Sequence, residues 1–257
     1  MKIEVLGCHG GQLPGRNNTA LLLNNDTLID AGTIALTLGI EKQRKIRNAF
    51  ISHAHLDHTG ALPFFAVNIV SNKTEGVKIY GAKSAVDAVK THLMNNVIWP
   101  DFTKIKNFGG NPVFEYKPLP VNKWIKAGEY KIKLIPVNHT VPTTGMLIGH
   151  KNRYLLYSGD TKETSGIWKE AGKLGSKLKA VFVETAFPDS LAFLGEASGH
   201  LVPSTLKKQL DKLGPKQKPK IFVYHVKPEY VAQVKKELSR IRGRKIRVLD
   251  EGGVYTV

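Results

Sequence analysis

Five apolar runs in this chain end on a residue with chemistry to offer, and that recurrence limits the fold more than any other feature. Ala49-Phe50-Ile51-Ser52 leads to His53, Leu134-Ile135-Pro136-Val137-Asn138 to His139, and Leu155-Leu156-Tyr157-Ser158-Gly159 to Asp160. Val181-Phe182-Val183 leads to Glu184, and Ile221-Phe222-Val223-Tyr224 to His225. Short continuous apolar runs suit strands buried on both faces. Polar side chains at the carboxyl ends of neighbouring strands gather along one edge of a sheet, where α/β proteins place their sites.

The segments around these runs fall into two halves of similar make-up. The opening reads as a β-meander, with extended segments Lys2 to Gly7, Asn18 to Leu23 and Thr27 to Asp30 separated by Gly10-Gly11, Pro14-Gly15 and Asn24-Asn25-Asp26. From Asn48 the pattern becomes strand, loop, helix, with helices expected across 61–70 and 83–94 and a strand from Val77 to Tyr80. Residues 95–128 are loop-rich with short strand candidates and suit a lid. The second half repeats the scheme: strands at Tyr130 to Val137 and Arg153 to Tyr157, a helix over 163–177, a strand at 179–183, a helix at 204–213, a strand at 220–224, a helix at 228–240 and short terminal strands. Residues 216–220 read as a surface loop. Two mixed sheets packed face to face with helices outside satisfy this order, and 257 residues are compatible with one domain over 1–257.

Several classes are disfavoured. No apolar run approaches the roughly 20 residues of a membrane helix, and Met1 to Gly7 is too short and strand-like for a signal peptide. No membrane association and a cytoplasmic location are therefore expected. Cys8 is the only cysteine, which removes an internal disulfide and a Cys-based zinc cage and fits a reducing compartment. The net charge of +17 points toward anionic partners. Lysine supplies most of it and is scattered, whereas bidentate phosphate recognition favours arginine. The densest segment, Lys235, Lys236, Arg240, Arg242, Arg244, Lys245 and Arg247, is the best candidate for a polyanion patch, although part of it reads as the polar side of a helix. A basic field also concentrates a small anionic substrate, so nucleic acid ranks second as a partner.

His53-Ala54-His55-Leu56-Asp57-His58 places four potential ligands in six residues. In an extended segment His53 and His55 point the same way, and the following turn swings Asp57 and His58 to an adjacent position. Imidazole and carboxylate donors together suit zinc and related divalent ions. With the later His139, the Asp160 of Ser158-Gly159-Asp160-Thr161 and the late His225, this motif resembles the metallo-β-lactamase superfamily over nearly the whole chain. The resemblance implies a four-layer αββα sandwich, two mixed sheets flanked by helices. It also implies two divalent metal ions, zinc first, with manganese or iron as alternatives. One ion would sit on His53, His55, His139 and Asp160, and the other on Asp57, His58, His225 and the shared Asp160. Asp30 matches the superfamily's structural acid behind the His loop; a turn-capping Asp is the other reading.

Two such ions about 3.5 to 4 Å apart support in-line displacement at a phosphodiester. Glu184-Thr185-Ala186-Phe187 and Ser198-Gly199-His200-Leu201-Val202-Pro203 are similar to segments of both ribonuclease Z and class II 3′,5′-cyclic-nucleotide phosphodiesterases. In both families the matching Glu184 and His200 would form a proton-handling pair, with Asp57 as a further catalytic carboxylate. Thr91 to Phe102, the Gly7-Cys8-His9-Gly10-Gly11 loop and Ile221 to Pro228 resemble the cyclic-nucleotide enzymes. That resemblance implies a homodimer hydrolysing cyclic nucleotides to 5′-monophosphates, with Trp99 and Phe102 stacking on a base and Asn95 and Asn96 bonding its edge. The pattern is compatible with cAMP, cGMP, pyrimidine cyclic nucleotides and cyclic dinucleotides alike. The alternative is a ribonuclease Z-like tRNA 3′-processing enzyme. Its tRNA-gripping arm lies between the positions of His139 and Asp160, where this chain has only twenty residues. Thr59-Gly60-Ala61-Leu62-Pro63 departs from the class II pattern, which prefers an aliphatic residue and a later Ser-Pro.

Overall fold

The computed structural model describes residues 1–214 and 217–257. Residue 216 of the expected 216–220 loop lies outside the described residues. The strands are β1 (Lys2–Gly7), β2 (Ala20–Leu23), β3 (Thr27–Ile29), β4 (Asn48–Ile51), β5 (Val77–Ala82), β6 (Phe114–Leu119), β7 (Trp124–Ala127), β8 (Tyr130–Val137), β9 (Thr143–His150), β10 (Arg153–Tyr157), β11 (Leu178–Glu184), β12 (Lys220–Tyr224), β13 (Ile246–Val248) and β14 (Val254–Thr256). They form two seven-stranded sheets, ordered β14-β1-β2-β3-β4-β5-β6 and β13-β12-β11-β10-β9-β8-β7. The helices are α1 (Ile40–Gln43), α2 (Leu56–Thr59), α3 (Leu62–Ile69), α4 (Lys83–Ala88), α5 (Gly166–Gly172), α6 (Ala192–Ser198), α7 (Pro203–Leu210) and α8 (Val231–Leu238).

Each sheet is half antiparallel and half parallel. In the first, β14, β1, β2 and β3 pair antiparallel, and β3 to β6 pair parallel. In the second, β7 to β10 pair antiparallel and β10 to β13 parallel. Alternation decides which core a side chain enters. Tyr130, Ile132 and Leu134 of β8 face between the sheets, joined there by Phe50, Tyr157, Phe182 and Tyr224. Ala49 and Ile51, one residue either side of Phe50, face α3 residues Leu62, Phe65 and Ala66 instead. Leu156, Val181 and Val223 meet Trp168 of α5, Leu206 of α7 and Val234 of α8. The central strands are therefore covered on both faces, each fully buried aliphatic or aromatic side chain contributing about 1.5–3 kcal/mol.

The structure differs from the sequence expectation in two places. Residues 114–127, where short strands were expected within a lid, supply β6 and β7, which extend opposite sheets as edge strands rather than forming a lid. Strand β9 was not expected; it is buried along almost its whole length between β8 and β10. Among the described residues no helix is long and apolar enough to cross a membrane.

Candidate metal centre

The parallel strands of both sheets end at one edge. After β4, His53 stays buried, His55 precedes α2, and Asp57 and His58 lie on its first turn. His139 follows β8, Asp160 follows β10, and His225 follows β12 with φ of 68°. Gly10 of the first loop crosses so close to His225 that a Cβ there would lie 2.6 Å from the ring.

Asp160 is the meeting point. Its Oδ2 lies 3.8 Å from His53 Nε2, 3.2 Å from His58 Nε2 and 3.1 Å from His225 Nε2. Asp57 Oδ2 stands 3.7 Å from His225 Nε2 and 3.9 Å from His58 Nε2. His139 Nε2 and His55 Nδ1 are 3.3 Å apart. The donor atoms fall into two candidate metal-binding groups, His53, His55 and His139 in one and Asp57, His58, Asp160 and His225 in the other, and His200 comes within the same reach of His139 and Asp160.

Two observations test whether divalent ions fit. Nε2 of His53, His58 and His225 and Oδ1 of Asp160 are buried without a hydrogen-bond partner, a cost of about 1–3 kcal/mol each unless something else binds them. Nitrogens on a tetrahedral ion at about 2.0–2.1 Å stand roughly 3.3 Å apart, the spacing of His55 and His139. The donors fit. Cys8, His9 and Glu251 form a third group nearby. Burial pushes that thiol up to about 12, and Cys8 Sγ donates to Leu249 O.

The opposite ring nitrogens are each tied down. His58 Nδ1 donates to Asp30 Oδ2 at 2.7 Å, and His139 Nδ1 to Gly199 O at 2.9 Å. His225 Nδ1 meets Thr19 Oγ1 at 3.3 Å, and His53 Nδ1 meets Ser52 Oγ at 3.0 Å. Asp30, fully buried with φ of 55°, also accepts from Ser52 N, Ser52 Oγ and, at 2.6 Å, Tyr157 Oη. Its oxygens thus reach the His loop rather than capping a turn. Gly199 has φ of 75°, and a Cβ there would stand 2.9 Å from His139 Nδ1. Thr19, Ser52, Tyr157 and Gly199 carried no sequence signal, because each looks like an ordinary strand or turn residue.

Glu184 and His200 meet beside this cluster. Glu184 Oε1 accepts from His200 Nδ1 at 3.1 Å, Thr161 N at 2.9 Å and Leu201 N at 3.2 Å. The His200 ring lies 5.0 Å from that of His139 and 5.1 Å from that of His225, touching both halves of the cluster. Burial raises the Glu184 carboxyl, with His200 pulling the other way. Burial also opposes charge on His200, but the Glu184 carboxylate outweighs it and lifts the imidazole above its ordinary range. Asp160 resists its own burial because His225 and His58 hold it well below the usual carboxylate range.

The residues marked for base contacts lie in the turn across 95–102. Asn95 Oδ1 accepts from Val97 N and Ile98 N while its Nδ2 donates to Thr91 O, and Asn96 Oδ1 accepts from Asp101 N. Trp99 Nε1 donates to Pro63 O, and Phe102 is buried in the helix-side core. The polar groups of Asn95 and Asn96 thus serve this turn, and that of Trp99 ties it to α3.

Comparison with known proteins places this geometry. The family described as "Anti-Pycsar protein Apyc1" matches residues 1–242. A Yersinia pestis protein named probable 3′,5′-cyclic-nucleotide phosphodiesterase is 24% identical, covering 89% of this chain and 79% of its own. Unliganded yeast PDE1 superposes with a TM-score of 0.81 at 17% identity, covering 98% of each chain. The short form of human tRNase Z gives 0.73 at 18% identity, covering 100% of this chain and 99% of its own. The two mixed sheets and their outer helices are those of the metallo-β-lactamase fold.

Proposed function

Since this chain belongs to the family of the anti-Pycsar protein Apyc1, we propose that it hydrolyses 3′,5′-cyclic nucleotides to 5′-monophosphates at the cluster around Asp160. The observation that carries this reading is one carboxylate oxygen, Asp160 Oδ2, facing His53 on one side and His58 and His225 on the other. One ion would be held by His53, His55, His139 and Asp160, and a second by Asp57, His58, His225 and Asp160. Zinc suits these donors best, and manganese or iron are the alternatives they admit. Such ions supply an activated water and stabilise charge at phosphorus.

The chain's own groups do the rest. With Nδ1 engaged by Glu184, His200 keeps Nε2 for the substrate. As the bond from phosphorus to the ribose 3′-oxygen breaks, the proton on His200 Nε2 passes to that oxygen, while Glu184 favours the charged imidazole. Asp57, the most exposed acid of the cluster, orients the attacking water. A small substrate is favoured over tRNA by the hairpin of β9 and β10. The pair takes up residues 143–157 with a tight turn at 151–152, leaving no length for an arm between His139 and Asp160. The name of the Yersinia pestis relative supports the same substrate class.

Two chains pair through an apolar face. Val97 and Ile98, 84% and 62% exposed, form an apolar knob held by Asn95, four residues on in the chain from Leu93, which lines a hollow of about 540 Å³ with Leu36, Leu56 and Phe64. An exposed apolar knob and an apolar hollow suit a contact between two copies, so Val97→Asp should shift the scattering mass of the purified protein to that of one chain. The lone, buried Cys8 is consistent with a reducing cytoplasm.

Purified protein with divalent metal, offered purine and pyrimidine cyclic nucleotides and a precursor tRNA, tests the activity. Formation of 5′-monophosphate from at least one cyclic nucleotide is expected. Cleavage of the tRNA with every cyclic nucleotide left intact, or exclusive 3′-monophosphate, overturns the proposal.

A further inference from the structure

At the far end of the second sheet lies a cavity of about 560 Å³ lined by Lys218, Lys220, Arg242, Arg244 and Lys245, with Asp211 as its one acid. Lys220 opens β12 and His225 closes it, so the cavity stands roughly 16 Å from the metal centre at about 3.3 Å per strand residue. Substrate held at Asp160 does not reach it.

Many surface lysines stand alone, and what sets these cations apart is that five of them line one hollow; other lysines are paired. Lys42 pairs with Glu4 at 3.0 Å, Lys133 with Glu170 at 2.8 Å and Lys235 with Asp250 at 3.0 Å. Among the described residues none of the five cavity cations has a carboxylate partner, and Asp211 is already paired with Lys207 at 3.0 Å. Two of them are nevertheless fixed. Arg244 donates to Gln217 O at 3.3 Å and Leu213 O at 3.2 Å, and Lys220 donates to Thr256 O at 3.1 Å. Like charges gathered in one hollow repel, and anchoring them to backbone carbonyls leaves that repulsion unrelieved until an anion arrives.

The hollow also continues outward. Four of the chain's eight arginines lie between 240 and 247, and the Arg247 guanidinium sits 5.6 Å from the centre of the partly exposed Tyr255 ring. Arginine forks match phosphate oxygens, and a half-buried aromatic beside them offers its open edge to a base. A strip of this length suits an extended polyanion better than a single phosphate group.

From this we infer that the edge formed by β13 and the start of β12 binds the phosphate backbone of single-stranded nucleic acid without regard to sequence. A duplex keeps its bases stacked inside and offers none to Tyr255, whereas a single strand does.

The test uses the metal-loaded full chain and a fluorescein-labelled single-stranded oligonucleotide of about twelve nucleotides, checked on a gel to be intact, with anisotropy read from low to physiological salt. Five phosphate contacts give a slope of log K against log salt near −3.5, at about −0.7 per contact. The double variant Arg242→Glu, Lys245→Glu should bring it to about −2 and weaken binding more than tenfold at moderate salt, with an unchanged thermal transition. The double variant Lys123→Glu, Lys126→Glu, at the opposite edge of the same sheet, makes the same change in net charge and should leave binding within about threefold. Equal weakening by both pairs would show that net charge alone attracts the oligonucleotide, and would overturn the inference. So would polyglutamate competing as well per charge as unlabelled oligonucleotide, since the partner would then be an acidic protein. Binding is read without any turnover, so the result stands whether or not the chain hydrolyses cyclic nucleotides.

Discussion

The first sheet delivers His53, His55, Asp57 and His58 from the end of a single strand, whereas the second delivers His139, Asp160, Glu184 and His225 from the ends of four. In the first case the local path of one loop sets the spacing of the donors, with Asp30 fixing it from behind. In the second, no local segment sets anything. The spacing depends on the register of β8, β10, β11 and β12 across a whole sheet. Two halves of matching topology thus hold their donors in opposite ways, one by sequence proximity and one by strand pairing. Asp160 joins them, since its Oδ2 faces His53 and His58 from one half and His225 from the other.

The sharpest way to break the contrast is therefore Asp160→Ala. Elemental analysis should find both ions depleted and phosphodiesterase activity reduced by at least about 10⁴-fold, because a shared donor is lost from both groups. His225→Ala removes a donor from one group only and should retain about one ion per chain. Equal depletion in the two variants would remove Asp160 from its joining position.

His200→Ala comes next. It should lower kcat by about 10² to 10⁴ with metal content and KM nearly unchanged, the pattern of a group that acts in the transition state. Since Glu184 holds His200 above the ordinary imidazole range, the protonated acid persists to higher pH. Activity in the parent should be present below that raised value and fall as pH climbs through it. The variant should lack this limb. A p-nitrophenyl phosphodiester, whose leaving group hardly needs a proton, should be nearly insensitive to the change. A loss as large as that on a cyclic nucleotide would leave His200 a binding or structural residue.

The different wiring of the halves also governs how much could be read from sequence. Four donors in six residues were legible at once, and the rest only through their order at the ends of apolar runs. Strand β9 was hidden because Gly145 and Gly149 look like turn residues. In the fold they are clearances: a Cβ at Gly145 would lie 2.6 Å from Ser158 O, and one at Gly149 2.4 Å from the Tyr154 ring. The edge strands β6 and β7 were legible only as short, unplaced candidates for the opposite reason, being too polar and exposed to show a core-facing pattern. Tyr157 could not be singled out, because a strand tyrosine is ordinary until its hydroxyl is found 2.6 Å from Asp30. Asn95, Asn96 and Trp99 stood out through the resemblance of Thr91 to Phe102 to the cyclic-nucleotide enzymes, and the bonds their side chains make within their own turn and to Pro63 became visible only in the fold.

The imidazoles behind the two halves are oriented by groups of unequal strength, which gives the next prediction. His58 leans on a carboxylate at 2.7 Å. Asp30→Asn keeps the shape but gives up the charge, and should weaken metal binding by about 10- to 100-fold, as outer partners of ligand histidines commonly do. Competition against a chelator of known affinity measures this, and an unchanged affinity would reduce Asp30 to a packing residue.

The smallest effect belongs to Thr19. Its hydroxyl lies 3.3 Å from His225 Nδ1 and 3.5 Å from His9 O, so the imidazole donates to Thr19 and Thr19 passes its own proton toward the backbone. That chain selects the tautomer with Nε2 free, the atom that faces Asp160. The partner is neutral and both bonds are long, so the expected contribution is that of one ordinary hydrogen bond, about 0.5–1.5 kcal/mol. Thr19→Val, which keeps the volume and removes the hydroxyl, should loosen the ion at His225 by about 2- to 10-fold while leaving the one at His53 alone. Thr19→Ser, which keeps the hydroxyl and loses a methyl group, should restore binding even if it costs some stability. If Ser and Val weaken the ion equally, packing rather than the hydroxyl orients His225. If Val does as much harm as Asp30→Asn, the two halves are held with equal strength, and the contrast between a charged and a neutral support is wrong.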